Sequence, residues 1–298
     1  MSEEQPFVSV IVPVYNDPNG IRECLKALGS QTYPKDLFEV LVVDNGSTDH
    51  TRDIIKQFDV ELLVEDEIQG SYAARNLGIE SAKGEVLAFT DADCIPDPEW
   101  VANGIRTLME QSADLVGGRV VFEFSNEKSP AERFDASVNM RNDKSVRDGM
   151  AKTANVFVRV SVVDDIGPFP NHFISGGDVQ WTRKATNAGY RLVYGENAIV
   201  RHPSRSLNDL LKKQYRVGKG QIQVWSLEDQ PTLWILLTGL FNFPLKVFNF
   251  VFTGSGKEVY DVPSDREVEK GLAVAAVGAL CIFAMNFGRL VAMLSRSD

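Results

Sequence analysis

Residues 7–49 read FVSVIVPVYNDPNGIRECLKALGSQTYPKDLFEVLVVDNGSTD, and two segments of this stretch set the fold. Phe7 to Val14 and Phe38 to Val43 are nearly continuous β-branched and apolar runs. Such runs belong to strands covered on both faces, as in a parallel sheet. Between them Ile21, Leu25 and Leu28 recur at helical spacing, and Pro34 closes the segment. Strand, helix and second buried strand make one βαβ crossover.

Working outward, the order repeats: a helix from about Asp49, a short strand at Val60 to Val64, a helix through Ala73 to Ala82, then the strand Glu85 to Thr90. This alternation predicts an α/β fold, an open, doubly wound, mostly parallel sheet flanked by helices. From about Asp114 the pattern loosens. Ser125 to Gly149 is polar with mixed charge and is expected to be a surface excursion. A last helical segment, Gly177 to Ala188, is closed by Gly189 and leads through Tyr190 to Tyr194 towards His202.

The composition bounds the partners. A formal charge of -10 argues against nucleic acid, because phosphate binding needs a basic surface. Cys24, Cys94 and Cys281 lack the paired spacing of a zinc site or a disulfide framework and read as buried small hydrophobes in a reducing compartment. The N-terminus, MSEEQPFVSV, has no basic region before a long apolar stretch, so no secretory signal is expected. Residues 226–298 differ from the rest. Leu233 to Phe252 and Gly271 to Leu294 are strongly apolar, each near the roughly 20 residues that cross a bilayer. Pro244 and Lys246 make the first a re-entrant or interfacial candidate, and the second, interrupted by Arg289, is the cleaner span. The other reading is a pair of buried helices. Arg201, Arg205, Lys212, Lys213, Arg216 and Lys219 precede the tail, and a basic flank marks the cytoplasmic side. The expected organisation is therefore a catalytic domain over residues 1–225, split near residue 112, and a membrane-associated helical tail.

Ligands in open α/β sheets sit beyond the carboxyl ends of the strands. Three polar loops follow the first, second and fourth strands: Pro13-Val14-Tyr15-Asn16-Asp17, Asp44-Asn45-Gly46-Ser47-Thr48-Asp49 and Asp91-Ala92-Asp93. Two carboxylates one residue apart at a strand end can share a hard cation together with substrate phosphates. Asp44, at a strand tip, can accept from a base or ribose donor. Ser47 or Thr48 is a candidate N-cap for the next helix.

The motifs VSVIVPVYN, VLVVDNGSTD, ARNLGIESAKGEVLAFTDADCIPDPEW, TANVFVRVSVVDDIGPF and SGGDVQWTRKATNAGYRLVY stand in this order between Val8 and about His202. In them the chain resembles the large family 2 of inverting glycosyltransferases, which have the GT-A fold. The resemblance implies a nucleoside-diphosphate sugar donor (UDP- or GDP-linked), a glycan or polyprenyl-linked lipid acceptor, and a divalent metal, Mg2+ or Mn2+. It implies that Pro13, Tyr15 and Asp44 line the base and ribose pocket, with Asn16 and Ala92 in the same donor-binding loops, and that Arg75 lies near the diphosphate. Asp91 is expected at the ribose or metal, Asp93 on the metal, and His202 as the histidine completing its shell. Asp178 takes the general-base position. Its usual acidic predecessor is replaced by Gly177, and a helix N-cap role for Asp178 is compatible with catalysis. Asn155 matches an asparagine close to the sugar or acceptor, a buried hydrogen-bonding asparagine being the other reading.

The rivals lack their motifs. No glycine-rich phosphate loop of a pyrophosphorylase follows the first strand, and no G-x-G-x-x-G of a nicotinamide enzyme is present. Gln214-Tyr215-Arg216 lacks the spacing and tryptophan of processive synthases. A catalytically silent relative that binds nucleotide sugar or tethers partners remains the alternative, on account of Gly177.

Overall fold

The computed structural model describes residues 5–125, 127–225 and 267–295. The chain forms two units. The first comprises Met1–Glu123, Met140–His172 and Gly177–Pro203, and the second Phe124–Asn139, Phe173–Gly176 and Ser204–Asp298.

The first unit is built on one eight-stranded sheet in the order β3-β2-β1-β4-β7-β6-β8-β5. Its founding strands are β1 (Val8–Val14), β2 (Phe38–Asp44), β3 (Glu61–Val64) and β4 (Val86–Thr90). They are all parallel, β1 lying between β2 and β4. All seven residues of β1 are buried, which explains its unbroken apolar sequence. Val8, Val10, Val12 and Val14 join a core with Ile21, Cys24, Leu25 and Leu28 of α1 (Pro18–Gly29) and Trp100, Ile105 and Leu108 of α4 (Trp100–Glu110). On the opposite face, α3 (Ser71–Ser81) comes so close that a Cβ on Gly78 would lie 2.6 Å from Ile11. Period-2 alternation thus turns the two sides of one strand to different helices. α1 starts where the sequence says it should: Asp17 accepts from the Gly20 amide at 2.9 Å and Pro18 occupies the first turn.

Beyond β4 the direction changes. β7 (Asn155–Arg159) is antiparallel to β4 and to β6 (Leu115–Glu123), and β6 is parallel to β8 (Leu192–Pro203) with a register shift at Gly118/Arg119. Four of the seven strand junctions are parallel. β5 is only Ile95–Pro96, yet it pairs antiparallel with β8 at Arg201 and Val200. That short clamp carries the Asp91–Cys94 loop to the last turn of β8.

Two local expectations change. The helix expected from about Asp49 is the short α2, Thr51–Ile55, and neither Ser47 nor Thr48 caps it. The Asp49 carboxylate accepts from the Thr51 amide at 2.9 Å, whereas Ser47 and Thr48 bind the loop after β1. The stretch 125–149, expected as a surface excursion, is partly helical. It holds α5 (Pro130–Val138) and α6 (Asn142–Ser145), and α5 opens with a capping box in which Ser129 and Glu132 satisfy each other's backbone amides.

In the second unit, α5, α9 (Leu207–Trp225) and α10 (Glu267–Leu294) share a small core of Ala131, Phe134, Leu210, Val274, Val277 and Cys281. Gly271–Leu294 is long and apolar enough to cross a membrane, with a mean hydropathy of 1.9. One side of α10 packs within the unit. The other carries Leu280, Phe283, Phe287, Leu290 and Leu294, exposed at heptad spacing. Arg289, the charge inside this apolar helix, reaches Gln221 and Asn286 at 2.6 and 2.7 Å. Leu233 to Phe252, the other apolar segment, lies outside the described residues.

Candidate active site

Most of the residues singled out in the sequence fall at the carboxyl ends of β1, β2 and β4 and at the end of β8, while Arg75 lies on α3, Asn155 opens β7 and Asp178 lies in the first turn of a later helix. Pro13 is buried in β1 opposite Val43, and Tyr15, the next residue but one, is 52% exposed. Asn16 takes a left-handed φ of 49° and ties two loops together. Its amide donates to Ser47 Oγ at 2.9 Å and its side-chain oxygen accepts from the Thr48 amide at 2.8 Å. Asp44 is fully buried. One carboxylate oxygen accepts from Arg52 Nε at 2.6 Å and from the Ser47 amide at 3.1 Å, while Oδ1 has no protein partner. A buried carboxylate oxygen without a donor is costly to leave unsatisfied, and among the described residues this one has none.

The Asp91–Cys94 loop follows β4. Asp91 forms an ion pair with Arg75 of α3, whose side chain is only 4% exposed. Arg75 Nε is buried and has no partner among the described residues. Ala92 is buried, and Asp93 is the more open carboxylate. Asp93, Cys94 and His202 bring ligand atoms within 4.8 Å of one another. His202, 1% exposed, has Nδ1 at 2.6 Å from the Pro203 carbonyl, which can only accept. In the neutral ring, the proton therefore sits on Nδ1 and the Nε2 lone pair faces Asp93 Oδ2, 3.5 Å away. Two acceptors brought face to face in this way fit a cation held between them. The carbonyl fixes the ring as such partners do for metal-binding histidines. Cys94 does not belong to that set. Its sulfur is a soft ligand, ill-matched to a hard cation that takes oxygen ligands.

Asp178 lies in the first turn of α8 (Gly177–Asn187). Its Oδ1 accepts from the Tyr72 hydroxyl at 3.0 Å and its Oδ2 from the Thr153 amide at 3.3 Å. Tyr72 is on α3, one turn before Arg75, whose guanidinium carbon lies 5.9 Å from the Tyr72 ring centre. Contacts thus run unbroken from Asp178 through Tyr72 and Arg75 to Asp91. Lys152 is near the same carboxylate. Burial lowers its ammonium pKa, with Asp178 and Asp143 acting in the opposite direction.

Asn155 takes a different place. It is fully buried, accepts from Trp100 Nε1 at 2.9 Å, and donates to the carbonyls of Arg119 and Ala198 at 2.8 Å. Its amide is engaged on both sides in joining β6, β7, β8 and α4. Tyr72, Thr153 and Lys152 were not singled out in the sequence. Tyr72 directly precedes the Ala73-Ala74-Arg75-Asn76 motif, but no spacing rule links it to an aspartate 106 positions later.

A parallel α/β half with a carboxylate-lined edge, extended by a mixed half that returns a histidine to that edge, defines a glycosyltransferase of the nucleotide-sugar-dependent GT-A class. The model of the family described as Glycosyl transferase family 2 matches residues 9–164, and the chain belongs to that family. Among curated relatives, it is 54% identical over 234 residues to glycosyltransferase AglE of Haloferax volcanii, covering 76% of this chain and 77% of that one. It is 25% identical over 234 residues to the dolichyl N-acetyl-alpha-D-glucosaminyl phosphate 3-beta-D-2,3-diacetamido-2,3-dideoxy-beta-D-glucuronosyltransferase of Methanococcus voltae, covering 72% and 73%. Among solved structures, the mannosyltransferase PcManGT of Pyrobaculum calidifontis, in complex with GDP-Man and Mn2+, aligns over 99% of this chain and 76% of its own, with a TM-score of 0.61 at 21% identity. S. aureus TarS 1-349 in complex with UDP-GlcNAc aligns over 97% and 92%, with a TM-score of 0.56 at 20% identity. These likenesses at low identity show the fold.

Proposed function

We propose that the chain is an inverting transferase that moves a sugar from a UDP- or GDP-sugar to a glycan or polyprenyl-linked lipid acceptor, with Asp178 as general base. The observation that carries this reading is the run of contacts Asp178–Tyr72–Arg75–Asp91, which couples the proposed base to the donor-side carboxylates. Tyr15 offers an exposed ring for the base of the donor, and Asp44 Oδ1 a buried acceptor for its polar edge. Asp93 and His202 would hold a divalent cation, Mg2+ or Mn2+, whose positive charge would stabilise the departing diphosphate.

The acceptor hydroxyl gives its proton to Asp178. Its oxygen forms the new bond at the anomeric carbon, and the bond to the nucleoside diphosphate breaks with its electron pair leaving on phosphate oxygen. One displacement inverts that carbon. A base in this role contributes about 10²- to 10⁴-fold.

Residues 1–225 form the catalytic part, with its donor half ending near residue 112, and residues 226–298 the membrane-associated part at the cytoplasmic face. The exposed apolar stripe of α10 supports the membrane association. The dolichyl phosphate substrate in the name of the Methanococcus relative supports a lipid-linked acceptor.

The test is release of nucleoside diphosphate from a panel of nucleotide sugars by the full-length protein, with a membrane lipid extract as acceptor, in Mg2+ or Mn2+ and in chelator. Metal-dependent release from one donor, with an inverted anomeric centre in the product, is expected. Release that chelator leaves untouched removes the metal from the reading, and a retained configuration removes the single displacement.

A further inference from the structure

The position before Asp178 is where the family resemblance calls for an acid and the chain has glycine. The structure gives a steric reason. A Cβ on Gly177 would lie 2.9 Å from Cε2 and 3.0 Å from Cζ of Tyr72, so the phenol ring fills the volume that a side chain at 177 needs. Tyr72 is 6% exposed, and its ring rests beside Phe169 with centroids 6.1 Å apart. Its hydroxyl is held from both directions: it accepts from the Gly177 amide at 2.9 Å and donates to Asp178 Oδ1 at 3.0 Å. The hydroxyl proton is thereby aimed at the carboxylate. Glycine at 177 and tyrosine at 72 are two halves of one arrangement.

We propose that Tyr72 is a positioning residue for transfer, its hydroxyl orienting the Asp178 carboxylate towards the acceptor. This rests on Asp178 being the general base. Thr153 fixes the second oxygen through its backbone amide, so Tyr72 is the side chain that sets the rotation of the first. The charged groups around the pair are Arg75 on α3, beside the Tyr72 ring, and Lys152 in the loop before β7. Burial, with the negative charge of Asp178, raises the phenol above its ordinary range. Tyr72 therefore stays a donor across the working pH.

The experiment compares full-length wild type, Tyr72→Phe, Asp178→Asn and the double variant. Its readouts are nucleoside diphosphate release from the donor identified above and the binding of UDP and GDP. Removing a donor from a carboxylate favours the protonated acid. Tyr72→Phe is expected to lower kcat about tenfold or more, to leave nucleotide binding within about twofold, and to move the acidic limb of the pH–rate profile to higher pH. Because Tyr72 acts through Asp178, the double variant is expected to be no slower than Asp178→Asn alone. Wild-type kcat with an unmoved profile in Tyr72→Phe, or losses that multiply in the double variant, overturn the proposal. If Asp178→Asn itself turns over like wild type, the general-base reading falls first and takes this one with it, a failure distinct from an unaffected Tyr72→Phe beside a crippled Asp178→Asn. Should Tyr72→Phe not fold, Gly177→Ala carries the same test, since its Cβ displaces the ring while leaving both hydroxyl and carboxylate in the chain.

Discussion

The two halves of the sheet reach the active edge by opposite routes. In the parallel half, β1, β2 and β4 all run the same way, so each delivers residues at or just past its carboxyl end: Tyr15 and Asn16 after β1, Asp44 as the last residue of β2, and Asp91 to Asp93 after β4. In the mixed half, β7 runs against β4 and pairs its first residue, Asn155, with the last residue of β4, Thr90. The residue it brings to that edge is therefore its first. β8 turns back to parallel with β6 and delivers His202 from within its own last turn, still hydrogen-bonded in the sheet. Strand direction thus decides which end of a strand faces that edge. Asn155 is consumed by the sheet, and the proposed base Asp178 lies on a helix.

The sharpest way to break this comparison is to remove one catalytic group from each half. Asp178→Asn, on the mixed side, is expected to lower kcat by about 10²- to 10⁴-fold while UDP or GDP binding stays near wild type. Asp93→Ala, on the parallel side, is expected to lose transfer and to weaken Mn2+-dependent donor binding together, read by titrating metal at fixed donor. Equal effects of the two variants on donor affinity would mean that the halves do not divide the labour in this way.

What the sequence made legible follows the same division. β1, β2 and β4 are covered on both faces, so nearly every residue is apolar and the strands announce themselves, and the acids behind them stand out by contrast. β8 is half-buried at Leu192 to Tyr194, exposed at Glu196 and Asn197, and alternates only from Ala198 on, with a glycine and two charged residues among its twelve positions, so its length is not readable from Tyr190 to Tyr194. The capping box Ser129-Pro130-Ala131-Glu132 was readable and marks the start of α5 inside a stretch whose polar composition had suggested no regular structure. Tyr72 shows the opposite case. Its partner is 106 residues away, and only the approach of α3 to the start of α8 creates the hydrogen bond.

Stability separates the halves by smaller margins. Arg75 is 4% exposed and its pairing with Asp91 spans α3 and the loop after β4. Asp91→Asn leaves that guanidinium buried without its counter-charge, at an expected cost of about 3 kcal/mol in chemical denaturation. Glu132 gives a comparable figure in the second unit, with a pH signature. Burial alone would raise its carboxyl, but hydrogen bonds from the Ser125 amide and hydroxyl and from Ser129 outweigh that and hold it at about 2. A carboxyl depressed in the folded state contributes its stability above the unfolded pKa, near 4.5, and loses it as pH falls towards 2. The expected contribution is about 2–3 kcal/mol at neutral pH. Glu132→Gln should therefore lower stability at pH 7 and flatten its decline between about pH 4.5 and 2. A mutant curve parallel to wild type in that window would show that the serine bonds do not favour the ionised form.

The smallest effect belongs to the far edge of the mixed half, where Arg201 of β8 meets Asp97 just past β5 at 2.8 and 3.3 Å. The geometry is bidentate, but the Arg201 side chain is 46% exposed, so water and salt screen the pair and the chain entropy of holding it offsets most of the attraction. Arg201→Ala is expected to cost less than about 1 kcal/mol, a shift of at most about 2–4 °C in Tm that shrinks further in 0.5 M salt. The contrast with Asp91→Asn is the informative part, since both variants break an arginine–aspartate pair anchored on a strand of the same sheet. A larger loss at Arg201 would mean that its backbone pairing with Ile95, which carries the Asp93 loop to His202, depends on the ion pair. Metal affinity would then fall along with stability, which a Mn2+ titration of the same variant measures directly.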